Sequence, residues 1–365
     1  MDITPLAEWL PHSNPLVIAG PCSAETEEQV LKTARELAQI EAVKVFRAGI
    51  WKPRTRPNNF EGVGLQGLPW LKKVKEETGL LTTCEVANAK HTEVAILAGV
   101  DILWIGARTT ANPFSVQEIA DVLKGSDIPV MVKNPVNADL ALWIGALERL
   151  SNSGIKKLVA VHRGFSSAEK TAWRNPPMWR IPIELKRKYP DLPMICDPSH
   201  ISGARNLIYR VSQKALDVGM DGLMIETHPD PDHAWSDAEQ QITPSFLREM
   251  LGELELRTES ASDPGYEQAL EQLRTRIDQI DQELIDVLHH RMQIVHQIGD
   301  LKIKNNVTAV QISRMNEIME RRTEHGKKLG LRPEYIQEVV RLVHEESVKT
   351  QTDMMRAHHG LDGEL

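Results

Sequence analysis

Through the first 250 or so residues the chain alternates short apolar runs with amphipathic stretches. The apolar runs fall at 16–19, 43–48, 80–86, 102–106, 129–133, 157–162, 193–196 and 222–226. Several are near-continuous, the pattern of parallel strands buried on both faces. Between them, segments 27–40, 90–97, 116–123, 140–150 and 203–217 repeat apolar residues at helical spacing. Eight such strand–helix units predict a (β/α)8 barrel. A doubly wound open sheet is the rival, but evenly spaced strands without a long edge insertion suit it less well.

The pattern then changes. Residues 257–266 are polar and contain Pro264-Gly265, which reads as a linker between a barrel over 1–256 and a second domain over 267–365. Beyond it Leu270, Leu273, Ile277, Ile280, Leu284, Leu288, Met292, Val295 and Ile298 recur at spacings of three and four. They predict one long amphipathic helix suited to pairing with another. Helices over about 313–329 and 333–355 should follow, the last begun by Pro333. The second domain is therefore expected to be all-helical.

Composition narrows the class. The 365 residues are 41% hydrophobic and 26% charged, with a net charge of −8, an ordinary globular balance with no basic excess for nucleic acid. No apolar run approaches the roughly 20 residues that span a bilayer, and residues 1–14 lack the features of a secretory signal. Cys22, Cys84 and Cys196 lie far apart, which argues against a disulfide framework. A cytoplasmic enzyme without membrane or nucleic-acid partners is expected. Gly62 to Gly67 fit G-x-G-x-x-G, but no strand leads directly into them, so no dinucleotide site is expected.

In a (β/α)8 barrel the active site forms where the strands end. Those ends carry Cys22, Arg47, Lys52, Arg54, Glu85, Arg108, Lys133, Arg163, His200, Glu226 and Asp237. Six of these are cations, and six cations facing one cavity call for phosphates or carboxylates as ligands. Cys22, His200, Glu226 and Asp237 follow the first, seventh and eighth strands, neighbours once a barrel closes. Sulfur, nitrogen and oxygen donors together suit a divalent transition metal better than magnesium or calcium.

The segments Gly20-Pro21-Cys22-Ser23, Phe46 to Thr55 (FRAGIWKPRT), Ile105 to Arg108, His162-Arg163-Gly164, Asp197-Pro198-Ser199-His200, Glu226-Thr227-His228 and Ser236-Asp237-Ala238 resemble those of 3-deoxy-D-arabino-heptulosonate 7-phosphate (DAHP) synthases. The resemblance covers residues 15 to about 250. It implies one divalent ion of the Mn, Fe, Co or Zn class on Cys22, His200, Glu226 and Asp237. Phosphoenolpyruvate would sit on Arg47, Lys52, Arg108, Lys133 and Arg163, and erythrose 4-phosphate on Lys52, Pro53, Arg54 and Thr55. Lys52, beside both substrates, is the candidate catalytic proton donor. Related synthases making an eight-carbon sugar acid share the barrel chemistry and are the enzymatic alternative.

In the helical domain Arg291 and Lys302 are 11 residues apart, about three turns on one face. Arg274 is too far along the same helix to join them and would have to come from a second copy. The pattern around Leu273, Arg274, Ile277, Asp278, Asp281, Arg291, Met292, Ile298, Gly299 and Lys302 resembles the all-helical chorismate mutases, with a match from about 268 to 352. The resemblance implies a chorismate or prephenate pocket of Arg274, Arg291, Lys302, Arg314, Ser347 and Gln351, without a cofactor. Lys302 and Gln351 would be catalytic. Gln311 and Met315 stand where the family usually has acidic residues. The chain is thus expected to be a bifunctional enzyme that self-associates through its helical domain and is inhibited by prephenate acting there. The alternative is a helical domain that only dimerises and regulates.

Overall fold

The computed structural model describes residues 1–52, 60–168, 171–258 and 263–358. Two compact units emerge, Met1–Glu259 and Ser260–Leu365.

The first unit is a closed parallel barrel of β1 (Leu16–Gly20), β2 (Val43–Arg47), β3 (Leu81–Val86), β4 (Ile102–Ile105), β5 (Val130–Lys133), β6 (Leu158–His162), β7 (Met194–Cys196) and β8 (Gly222–Glu226). The strands lie where the apolar runs predict them, within two residues at each end. Side chains alternate between two cores. Leu16, Ile18, Val45, Ile102, Trp104, Met131, Val159, Val161, Ile195 and Met224 form one buried cluster that fills the barrel. Val17, Ala19, Phe46, Leu103, Ile105, Val130 and Val132 join a second cluster with the surrounding helices. This period-two alternation explains why the strands read as apolar throughout. A short helix, Leu6–Trp9, was not foreseen from the sequence; Leu6 and Leu10 pack into the first cluster.

Helix starts follow local rules. Thr26, Asn88, Asn112, Asp139 and Thr243 cap helices Glu27–Leu37, Ala89–Leu97, Pro113–Leu123, Leu140–Asn152 and Pro244–Glu253, each accepting from a backbone N–H of the first turn. The glycine-rich run of 62–67 leads through a short 3-10 turn, Gly64–Gln66, into helix Gly67–Thr78; the described residues just before it, 60–63, are irregular. It therefore lacks the strand that a dinucleotide loop requires.

The second unit contains a long helix, Pro264–Lys304, a middle helix, Ile312–Lys328, and a last helix, Pro333–His358. The long helix begins inside the stretch expected to be linker, because Asp263 caps it by accepting from Gly265 N and Pro264 suits the first turn. The last helix packs against both others. Gly299 permits close approach: a Cβ there would lie 2.7 Å from Met354 Sδ. The forward half of the long helix finds no cover within its unit. Leu273, Ile277, Ile280 and Leu284 are 54%, 57%, 61% and 55% exposed.

Candidate active sites

Barrel closure brings distant loops together. Gly20 pairs with Glu226 in the β1–β8 register, so the segment after β1 meets the one after β8. Gly20 has φ of 146°, and a Cβ there would lie 2.1 Å from the Arg47 carbonyl oxygen, so only glycine lets β1 and β2 approach here. At Gly106 a Cβ would meet Glu85 Oε1 at 1.9 Å, so a larger residue there would displace the Glu85 carboxylate.

Ligand atoms of Cys22, Glu226 and Asp237 lie within 4.8 Å of one another. Lys52 Nζ donates to Cys22 Sγ at 2.7 Å, and the thiol lies 3.0 Å from Asp237 Oδ2. His200, the fourth expected ligand, is not part of that three-way cluster. Its Nε2 is 3.8 Å from Glu226 Oε1, while Nδ1 lies 2.8 Å from Asp197 Oδ2. Asp237 has φ of 50°, an uncommon left-handed conformation for a non-glycine residue.

Around these donors cations and carboxylates alternate. Arg47, 1% exposed, donates to fully buried Glu226 at 3.1 Å and stacks over Trp104. Lys133 donates to Asp197 at 2.7 Å. Arg163 donates to Asn175 Oδ1 at 2.8 Å through its guanidinium, and its backbone N–H donates to Asn134 Oδ1 at 2.7 Å. Arg108 lies on the short helix Ala107–Thr110 that follows β4. Pro53, Arg54 and Thr55 fall outside the described residues.

Two contributors escaped sequence reasoning. Arg174 donates to Asp237 Oδ1 at 2.9 Å and also to Gln240 Oε1. Gln240 in turn donates to Glu226 Oε2 at 2.6 Å. One guanidinium thus steadies two of the three clustered donors. Arg174 sits in an irregular loop and Gln240 in the single 3-10 turn Ala238–Gln240, where no periodicity marks them.

Electrostatics follow from this packing. Burial, reinforced by Glu226, pushes the Cys22 thiol up to about 12. Burial opposes charge on Lys52, but Cys22, Glu226 and Asp237 outweigh it and hold the ammonium above its ordinary range. Burial also works against the Asp237 carboxylate, yet Arg174, Lys52 and His200 hold it well below the usual range. Arg163 is drawn down to about 10 by burial, with Arg174 and Arg108 adding to the effect against Asp197. The mouth therefore presents a protonated lysine beside a thiol and ionised carboxylates.

In the helical unit a cavity of about 370 Å³ is lined by Arg291, Lys302, Arg314, Ser347 and Gln351, five of the six expected residues. Arg291 donates to Ser347 Oγ at 2.6 Å and Lys302 to the Ala309 carbonyl at 2.6 Å. Gln351 Nε2 donates to the Ser347 carbonyl at 3.2 Å, and its Oε1 is buried without a partner. Arg274 is not in this lining; it lies on the uncovered half of the long helix, 3.8 Å from Glu271. Gln311 lines the cavity, whereas Met315 does not. Arg322 and His344 line it as well and were missed. Helical spacing could have found them, since 314, 318 and 322 share one face and 344, 347 and 351 another.

A closed parallel barrel whose mouth gathers cations beside thiol and carboxylate donors defines a (β/α)8 enzyme for multiply anionic substrates. Residues 12–260 match the model of the DAHP synthetase I family, and residues 273–352 match that of chorismate mutase type II. The chain belongs to the DAHP synthetase I family and carries a type II chorismate mutase domain C-terminal to the barrel. It is accordingly a bifunctional shikimate-pathway enzyme, with a transferase and an isomerase of aromatic biosynthesis on one chain.

A phospho-2-dehydro-3-deoxyheptonate aldolase of Thermotoga maritima is 33% identical over 238 residues, covering 65% of this chain and 68% of that protein. A crystal structure of phospho-2-dehydro-3-deoxyheptonate aldolase (DAHP synthase) from the same organism shares 32% identity with a TM-score of 0.59, over 65% of this chain and 67% of that one. A 2-dehydro-3-deoxyphosphooctonate aldolase of Syntrophotalea carbinolica is 27% identical over 257 residues, covering 65% of this chain and 88% of that protein.

Proposed function

We propose that the barrel joins phosphoenolpyruvate to erythrose 4-phosphate with a divalent transition metal, and that the helical unit converts chorismate to prephenate and carries feedback inhibition by prephenate. One observation carries the first part: Cys22, Glu226 and Asp237 converge within 4.8 Å of one another, with Lys52 bonded to the thiol.

The donor set fits a metal. A buried thiol held near two carboxylates, with His200 Nε2 3.8 Å from one of them, is a mixed sulfur, oxygen and nitrogen set of the kind a borderline divalent ion prefers. Cys22, His200, Glu226 and Asp237 would hold the ion, which would supply Lewis acidity at the aldehyde oxygen of the sugar. Arg47, Lys133, Arg163 and Arg108 bind the phosphate and carboxylate of phosphoenolpyruvate and balance charge as the enol carbon attacks the aldehyde. Lys52, protonated at neutral pH, donates its proton to the developing alkoxide. Water adds at the electron-poor middle carbon of the former phosphoenolpyruvate, and the resulting hemiketal phosphate expels inorganic phosphate. Arg54 and Thr55 bind the sugar phosphate.

In the helical pocket the arginines hold the two carboxylates in a compact conformer, and Lys302 and Gln351 donate to the ether oxygen. Arg274 joins from a second copy, whose long helix covers the exposed stripe from Leu273 to Leu284. Burying the exposed remainder of such side chains, a little over half of each, gains about 1–2 kcal/mol each. The three cysteines are free and buried, and no described helix is long and apolar enough to cross a membrane. Both facts are compatible with the cytoplasm, which we take as its compartment.

One set of assays tests this reading. The purified chain should form the seven-carbon product from erythrose 4-phosphate, lose that activity to a chelator, and regain it with added divalent ion. It should separately consume chorismate whether or not chelator is present. Preference for arabinose 5-phosphate would replace the substrate assignment with the eight-carbon one. A chain ended after Thr258 should keep synthase activity and lose inhibition by prephenate; a truncated barrel still inhibited would refute the regulatory role.

A further inference from the structure

The helical cavity holds more positive charge than its expected residues explain. Arg291, Lys302, Arg314 and Arg322 line it, and among the described residues no carboxylate does, although Arg314 is paired at 2.7 Å with Glu317, which is not in the lining. His344 faces the same space from the last helix, one turn before Ser347 and two before Gln351. Its Nε2 is buried and has no hydrogen-bond partner, and Gln351 Oε1, from another residue of the same lining, has none either. Buried polar atoms rarely go unpaired, so an unpaired one at a cavity wall points to a ligand.

We propose that His344 is a ligand-binding residue of this pocket, taking up one proton as a small dicarboxylate enters and then donating from Nε2 to a carboxylate. The inference rests on the reading of the cavity as the chorismate and prephenate site, and adds to it a residue outside the expected set.

The charges around His344 give the reason. In the empty pocket burial keeps the imidazole below its ordinary pKa, helped by Arg291 and Lys302 of the long helix and Arg322 of the middle helix; only Glu345, on its own helix, opposes them. Arg314 adds a fourth cation to the lining. The ring is therefore neutral near pH 7, with one nitrogen a donor and the other a bare acceptor that a carboxylate cannot use. A dicarboxylate brings two negative charges among these cations, removes much of the repulsion felt by an imidazolium, and gives the new N–H its acceptor. The ring pKa rises on binding. By linkage, affinity then increases as pH falls between the complexed and empty values, by up to about tenfold per pH unit for one proton.

Calorimetry on the full chain tests this, with prephenate as titrant at pH 7 in two buffers of different ionisation enthalpy. The carboxylates of prephenate are fully ionised there, so proton uptake reports the protein. The expected result is uptake of a fraction of a proton to one proton per site, with affinity weakening from pH 6.5 to 8.5. His344→Gln keeps a donor but cannot titrate. It should abolish the uptake and flatten the pH profile, while binding prephenate within a few-fold of the parent at pH 8. Arg322→Met leaves the ring in place and relieves its repulsion in the empty pocket and in the complex alike, so the pH range over which uptake occurs should move upward while uptake persists. Prephenate binding without uptake, or uptake unchanged in His344→Gln, would overturn the role of His344 and leave the pocket assignment standing. Failure of the parent chain to bind prephenate would overturn both.

Discussion

Removing Arg47 tests whether the barrel mouth is held together by compensated charge. Its side chain is 1% exposed, and its partner Glu226 is fully buried at 3.1 Å. At an effective dielectric of about 20 the Coulomb attraction at that separation is roughly 5 kcal/mol, much of it consumed by desolvating both ions. The cost of Arg47→Met is not the net worth of the pair. It is the cost of leaving one anion buried, typically about 3–5 kcal/mol. Glu226 keeps the Gln240 amide at 2.6 Å, which favours the lower part of that range. For a unit of this size about 3 kcal/mol lowers the melting temperature by roughly 6–12 °C.

The measurement is clean because all eight tryptophans lie between Trp9 and Trp235, within the barrel unit. Tryptophan fluorescence during urea or thermal unfolding of the intact, chelator-treated chain therefore follows that unit alone. A double-mutant cycle supplies the decisive number. Glu226→Gln removes the anion while leaving an amide oxygen for Gln240, so Arg47→Met/Glu226→Gln should be no less stable than Arg47→Met, with a coupling of about 2–4 kcal/mol. Additive single effects, or a loss below about 1 kcal/mol for Arg47→Met, would mean that the pair is not what holds these segments.

Two further substitutions separate the proposed roles. Lys52→Met should lower synthase turnover by about 10²–10⁴-fold, the usual range for removing an acid catalyst, while the Km for phosphoenolpyruvate changes far less; parallel losses in both would make Lys52 a binding residue only. Ile280→Asp places a charge in the uncovered apolar stripe, and sedimentation should show smaller assemblies together with loss of mutase activity, whereas an unchanged assembly would place the self-association surface elsewhere.

The barrel was legible because its physics is local and repetitive. Strands buried on both faces must be apolar throughout, and β1, β4, β5, β6, β7 and β8 are buried at every position. The convergence of Cys22, Glu226 and Asp237 was legible for a topological reason: closure makes the ends of β1 and β8 neighbours whatever lies between them in sequence, while His200, after β7, stands outside that cluster. Arg174 and Gln240 were not legible, since an irregular segment and a single 3-10 turn carry no periodic signal and their path depends on tertiary contacts. The short helix Leu6–Trp9 escaped because one turn carries no periodic signal. Arg322 and His344 were readable from helical spacing, since each lies one or two turns from a pocket residue on its own helix, Arg314 and Ser347.

The two sites solve the same problem differently. Both receive dianions, yet in the barrel the cations already have anionic company. Arg47 is paired with Glu226, Lys133 with Asp197 and Arg174 with Asp237. Desolvation there is compensated during folding, so the dipoles and charges stay fixed when substrate arrives, which is what preorganised electrostatic catalysis requires. The helical pocket sets four cations and a neutral imidazole around one cavity; no acid among the described residues lines it, though Arg314 is paired with Glu317 at 2.7 Å. Its repulsion is relieved by what enters. Ligand binding there should consequently stabilise the unit more than it does the barrel, and a domain whose stability depends on its ligand is a natural place for a feedback signal to act.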